Sequence, residues 1–296
     1  MGITDEPTAA VDAGCLNCGA RLTGAFCAEC GQKVLRTNPT VMDVARAVAE
    51  ELTDLDGKFP RSMQALLTKP GLLTEDWLAG RRARWWSPVR LYLVISALYF
   101  LSGPVIERLT GVTQKQIATV TVTDESVSGG MRLTPEAEAE ILSSELGRRV
   151  FEMVGRERMN RIIANPAAVN DAIAGALPKA MFVLLPLFAF LTWLAWYGGG
   201  MRFPAHLYFA LHLHAAMFAS FVVTRVAAFT GSTTVNIVVA SAAIAYTTWY
   251  AGVAIKRVLG GSTAEFLVKT AVVGAVYAIC FFAVTALVSF AAIMQF

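Results

Sequence analysis

Histidine is almost missing from this chain: three in 296 residues, all between His206 and His214. Charge is also scarce. Asp, Glu, Lys and Arg make up 16% of the sequence, whereas an ordinary soluble domain carries about 25%. The long apolar segments contain no Asp or Glu apart from Glu265, which stands at an end. Motifs that carry common chemistry are absent as well: no GxxxxGK[ST], no GxGxxG after a strand, no HExxH and no GxSxG. Without a paired acid and base or an open metal site, no enzyme is expected. The N-terminal MGITDEPTAA lacks the basic start and apolar core of a secretory signal. Glu6 stands where a myristoylation signal requires Ser or Thr. This end is therefore expected to be unprocessed and cytoplasmic. A net charge of +3 gives no reason to expect a nucleic-acid partner.

What is present in excess is apolar surface. Hydrophobic residues make up 55% of the chain, and the mean hydropathy is +0.54. The apolar mass lies in 89–103 and again from 181 to 296, whereas residues 1–88 read as water-soluble. The fold class that follows is an all-α polytopic membrane protein with about five transmembrane helices and a small N-terminal four-cysteine zinc ribbon. The expected layout is a disordered 1–14, a ribbon over 15–36 and cytoplasmic amphipathic helices over 37–85. A first span over 86–106, an extracytoplasmic helical loop over 107–178 and four further spans over 179–296 complete it.

Four of the five cysteines are clustered, in CLNCGARLTGAFCAECGQK. Cys15 and Cys18 form one CxxC, and Cys27 and Cys30 form the other after eight intervening residues. Each pair is followed by Gly, which lets backbone N–H groups turn toward the thiolates. Four sulfurs at this spacing suit tetrahedral Zn²⁺. Two disulfides or a redox-active CxxC are the rival readings, although neither pair has the strand-to-helix setting of a redox motif. Four thiolates fill the coordination sphere, so the zinc would be structural, with no position for a reacting water. Leu16, Leu22 and Phe26 are the only large apolar residues between the outer cysteines, so the metal must supply the folding energy. Such a ribbon serves either as a stapled cap or as a docking surface for a cytoplasmic protein.

Beyond the ribbon, Thr40 and Asp43 resemble a capping box ahead of a helical pattern ending near Leu52. Two more short helices are expected around Lys69-Pro70-Gly71. Next comes GRRARWWSPVRLYLVISALYFLSG, in which Arg81, Arg82, Arg84 and Arg90 flank an apolar run. Positive flanks stay inside, and Trp85 and Trp86 stand where aromatic residues favour the headgroup region. The same arginines are candidate contacts for anionic lipid.

The double CxxCG knuckle ending in CGQK, the GRRARWWSPVRLYL stretch and the later HLYFALHLHA together resemble the bacterial domain-of-unknown-function family 3667. The resemblance covers nearly the whole chain. It implies a membrane protein with an N-terminal zinc ribbon, and it brings no reaction, substrate or catalytic residue.

Residues 104–178 interrupt the apolar pattern with eight Lys or Arg and ten Asp or Glu. A strand-prone 116–123 is followed by an amphipathic helical pattern from Pro135 to the break at Asn165-Pro166. The spans after it are expected at 179–197, 203–229, 235–255 and 266–294, with Pro186 kinking the first of them. Arg202, Lys256 and Arg257 fall in the turns expected inside, which gives a cytoplasmic N-terminus and a periplasmic C-terminus in a bacterial inner membrane. In a helix at about 100° per residue, His212 and His214 diverge by about 160°, whereas His206 and His214 lie within about 80° but far apart along the axis. No single ion can join all three. His206 is expected near the cytoplasmic surface, and His212 and His214 deeper, neutral and bonded to other spans. Membrane lipids are the expected surroundings. Two functional readings follow: a membrane-anchored scaffold or regulator, or a small transporter or lipid-handling protein with a polar cavity lined by histidines.

Overall fold

The structure is a computed structural model that describes residues 14–33, 57–110, 135–164 and 166–294. The expected disordered start, the helix near 40–52 and the strand-prone 116–123 lie outside the described residues. Among the described residues there are ten α-helices and no strands beyond two isolated bridges in the ribbon. The helices are α1 (Phe59–Thr68), α2 (Leu72–Leu78), α3 (Pro88–Thr110), α4 (Pro135–Ser143), α5 (Glu145–Val154), α6 (Arg156–Ala164), α7 (Pro166–Ala195), α8 (Phe203–Ala227), α9 (Thr233–Leu259) and α10 (Thr263–Ile293). Four stretches are long and apolar enough to cross a membrane: Gly175–Ala195, Phe203–Thr230, Thr233–Leu259 and Thr263–Ala292. The first expected span is helical but differs in length. Its apolar part among the described residues, Pro88–Gly103, is shorter than the others.

The chain divides into two compact units, Met1–Val112 with Phe188–Val273, and Thr113–Leu187 with Gly274–Phe296. In the first unit, α8 is the central helix. It buries Phe209, Ala210, Leu213, Ala215, Ala216 and Phe218. Apolar burial inside lipid yields no hydrophobic gain, so helices there are held by close packing and hydrogen bonds. The alanines let neighbours approach, and the aromatic side chains fill the seam with α3. Tyr92 lies 6.1 Å from Phe218 by ring centroid, and Tyr99 lies 5.2 Å from Phe218 and 6.4 Å from Phe221. Arg225 sits over the Tyr99 ring at 5.0 Å. Positions later in α3 therefore meet positions later in α8, and the two helices run parallel.

The α1–α2 hairpin packs against α8 and α9. Leu66, Ala65, Ser62, Leu73, Thr74 and Trp77 are buried there. Its turn is fixed to the end of α9: Arg257 donates to Glu75 at 2.5 Å and to the Pro70 carbonyl at 3.3 Å. Gly71 has φ +79°, and a Cβ on it would meet Val258 at 3.0 Å, so both backbone and space require glycine. Midway along α9, the Tyr246 hydroxyl donates to the Leu67 carbonyl at 2.6 Å.

In the second unit, the single amphipathic pattern from Pro135 becomes three helices. Ser144 interrupts it by capping α5, accepting from the Gly147 N–H at 2.9 Å. Gly155, at φ +79°, ends α5. Helix α6 ends at Ala164, and the expected break at Asn165 lies outside the described residues. Pro166 opens α7, which continues through Pro178 and Pro186 to Ala195.

Candidate metal centre

Two knuckles with the same backbone pattern, twelve residues apart, build the cysteine cluster. In the first, Cys15 N–H donates to the Ala20 carbonyl at 2.8 Å and Gly19 N–H to the Cys15 carbonyl at 2.7 Å. In the second, Cys27 N–H donates to the Gln32 carbonyl and Gly31 N–H to the Cys27 carbonyl, both at 2.9 Å. Gly19 and Gly31 have φ +80° and +70°, as a tight turn over a sulfur requires. The four Sγ atoms lie within 4.8 Å of one another. Cys15 and Cys30 are 3.6 Å apart, and Cys18 and Cys27 are 3.5 Å apart. A disulfide needs about 2.05 Å, and all four thiols are free. Tetrahedral metal–sulfur bonds of about 2.3 Å imply sulfur separations of about 3.8 Å, so the donor set can hold one metal ion.

The sulfurs compete for protons. The Ala20 backbone hydrogen bond favours the Cys18 thiolate, yet desolvation and the sulfurs of Cys27, Cys30 and Cys15 push its thiol up to about 12. A backbone hydrogen bond from Gln32 brings Cys30 down to about 7. Crowded thiolates repel one another, and a bound cation removes that repulsion.

Gln32 ties the ribbon to the helices. Gln32 donates from Nε2 to the Gly80 carbonyl at 2.8 Å, and its Oε1 accepts from the N–H groups of Arg82 and Ala83, each at 3.0 Å. Gln32 thus satisfies three backbone groups in the turn after α2. Gly80, at φ +79°, leaves room for Leu16: a Cβ there would stand 2.6 Å from Leu16 Cδ1.

That turn is closed from within by Asp76, which is 6% exposed. Arg81 donates to Asp76 Oδ1 from Nε at 2.8 Å and from Nη2 at 2.6 Å. Trp85 Nε1–H donates to Oδ2 at 2.7 Å. The Trp86 N–H donates to Ser62 Oγ at 3.0 Å, and its ring lies between Phe59 and the guanidinium of Arg90. Trp85 and Trp86 are both buried within the protein, where Asp76 and Ser62 satisfy polar atoms that would otherwise need water. The four arginines part company. Arg81 is paired with Asp76, Arg82 donates to the Trp77 carbonyl at 3.1 Å and covers its ring, Arg90 is buried, and Arg84 remains exposed.

The histidines also separate. His206 Nδ1 lies 3.2 Å from Thr192 Oγ1, whose own proton goes to the Ala189 carbonyl at 3.0 Å. The imidazole must therefore donate from Nδ1. His206 stands in the first turn of α8 and is fully buried against Thr192 of α7. His212 Nδ1 lies 3.0 Å from Thr74 Oγ1 of α2, a partner outside the long spans. His214 donates to the Ala210 carbonyl of its own helix at 2.8 Å and meets the Phe188 ring edge-on. The Nε2 atoms of His206 and His212 are buried without a hydrogen-bond partner. Sequence reasoning passed over Gln32, Thr74, Asp76 and Gly80. The one available signal was the acidic pair Glu75-Asp76 set between the leucines and tryptophan of LLTEDWL.

The model of a family described as a protein of unknown function (DUF3667) matches residues 56–100. That stretch contains α1, α2, the Gly80–Ser87 turn and α3 as far as Phe100. The chain matches no curated protein and no solved structure.

Proposed function

We propose that the protein is a membrane-anchored zinc-ribbon scaffold or regulator whose ribbon is held as a fixed platform for a cytoplasmic protein. The observation that carries this reading is the Gln32 clamp. A ribbon serving only as a tethered hook has no need of three hydrogen bonds to one turn. The clamp begins a continuous polar path, from Gln32 through the Gly80 turn to Asp76 and α2, and from Thr74 to His212 in α8. The metal is zinc and structural, since four thiolates leave no open position. Nothing in this arrangement calls for catalysis, and the protein is proposed not to be an enzyme. Phe26, 58% exposed on the ribbon, supplies an apolar contact for the partner.

The proposed setting is a bacterial inner membrane, with the ribbon cytoplasmic and the C-terminus periplasmic. The Arg257–Glu75 pair supports it, since it brings the base-rich end of α9 to the side of the ribbon-bearing hairpin. The parallel course of α3 and α8 supports α3 as a fifth crossing in the same direction as α8.

The test is metal analysis joined to crosslinking in cells. Carefully reduced full-length protein should carry about one zinc per chain. A photoreactive residue in place of Phe26 should give one defined adduct, lost in Cys18→Ser. A zinc-free protein, or an adduct and deletion phenotype unchanged in Cys18→Ser, sinks the proposal. The second reading, a small transporter or lipid-handling protein, is favoured by the unpartnered Nε2 atoms of His206 and His212. Stable His206→Leu and His212→Leu proteins that retain the deletion-complementing activity would remove it.

A further inference from the structure

The outward face of α9 carries a groove of about 880 Å³, open along its length. Thr248, Trp249, Gly252 and Val253 line it from α9, and Phe266 from α10. A Cβ on Gly252 would meet nothing within 4 Å, so the groove is open there. Its walls are almost wholly apolar, and its polar end is formed by Lys256 and Arg257. The charges at that end do not cancel. Arg257 pairs with Glu75 at 2.5 Å, and Lys269 pairs with Glu265 at 2.5 Å. Among the described residues no carboxylate lies within ion-pair distance of Lys256, although Glu265, itself paired with Lys269, is near enough to feel its charge. Its Nζ donates to the Gly261 carbonyl at 2.6 Å and lies 5.6 Å from the Phe266 ring. An ammonium has three N–H donors, so two remain for another acceptor. An apolar groove whose end carries three bases (Lys256, Arg257, Lys269) against two acids (Glu75, Glu265) is complementary to one kind of molecule.

We propose that this groove binds an acidic phospholipid, its phosphate at Lys256 and an acyl chain along Gly252, Val253 and Phe266. The geometry favours a lipid over a second protein chain. The apolar walls line a helix that faces outward over most of its length, with only 22% of its membrane-length segment buried. Such a strip is met by acyl chains wherever the protein is inserted. What the groove adds to ordinary solvation is the excess of one positive charge at its end, which selects the headgroup. The site depends neither on the role of the ribbon nor on which end of α9 is cytoplasmic.

The experiment uses the full-length protein in symmetric nanodiscs of mixed phosphatidylglycerol and phosphatidylcholine. Lipid retained on release into mild detergent is counted by native mass spectrometry. The wild type should retain one phosphatidylglycerol in preference to phosphatidylcholine. Lys256→Gln should lower that preference about five-fold, the effect of one basic residue at an anionic surface. Gly252→Phe should remove the retained lipid of both kinds, with Thr248→Phe as a second filling variant if the first folds poorly. Size-exclusion behaviour reports folding for each. Equal retention of the two lipids by the wild type overturns the proposal, as does an unchanged preference in Lys256→Gln. Retained lipid in both well-folded filling variants, or a two-chain species that excludes lipid from the groove, overturns it as well.

Discussion

Two long apolar helices of nearly equal length, α8 and α10, meet opposite fates. In α8 the membrane-length segment is 56% buried, and in α10 it is 6% buried. The more apolar of the two is the one left exposed. In water the reverse would be expected, since apolar surface is driven inward. In lipid there is no such drive, and what selects the interior is the ability to pack closely and to bond. Helix α8 carries three histidines, Arg225 and a run of alanines, and these meet Thr74, Thr192, Phe188 and Tyr99 on neighbouring helices. Helix α10 offers Leu267, Val268, Val272, Ile279, Phe282 and Leu287 to its surroundings. Polarity inside the apolar region is thus the better guide to the core of this protein.

The sharpest way to break that contrast is at the buried charge. Asp76→Leu leaves Arg81 and Trp85 Nε1–H without their acceptor. Removing one partner of a fully buried pair costs about 3–5 kcal/mol. The Arg81 side chain is 41% exposed, so water shares the burden and a loss of about 2–3 kcal/mol is expected. Denaturation in graded detergent measures it, and a loss under about 0.5 kcal/mol would show that the node is not structural.

Paired substitutions on the two helices come next. Ala215→Leu in α8 must push against packed neighbours and should cost about 1–3 kcal/mol. Leu287→Ala in α10, where the side chain is 67% exposed, should stay within about 0.5 kcal/mol. Equal effects would mean that α10 is covered by something in the membrane. Thr74→Val keeps the shape of the hairpin but leaves His212 Nδ1 unpaired, with an expected cost of about 1–2 kcal/mol. A double-mutant cycle with His212→Leu should recover most of that loss, and additive losses would show that the bond contributes nothing. The smallest effect is expected at the ribbon. Gln32→Ala should lower global stability by about 1 kcal/mol or less while metal content stays whole. Hydrogen exchange in the Gly80–Ala83 turn should quicken, and unchanged protection there would show that Leu16 alone seats the ribbon.

The sequence was most informative where spacing and chemistry coincide. Two CxxCG pairs determined a four-sulfur cluster before any contact was known, because local turns alone bring each pair of thiols together. Long runs without Asp or Glu determined four membrane-length helices, because lipid tolerates no other backbone arrangement. Helical rotation determined that His206 and His214 share a side while His212 faces elsewhere; that α7 meets the shared side came from the tertiary structure. Other features belonged to the tertiary structure. A tryptophan pair beside arginines gives no sign of what its polar atoms will meet, and only the tertiary structure brings Asp76 and Ser62 to them. Nothing near Gln32 in the chain indicates that its amide closes on a turn 48 residues away. The bonding of His212 to a short helix before the first apolar stretch also had no local sign. Periodicity reports which face of a helix is turned inward. Which side chain meets it there is decided by contacts between residues far apart in sequence, and those form only when the chain has packed.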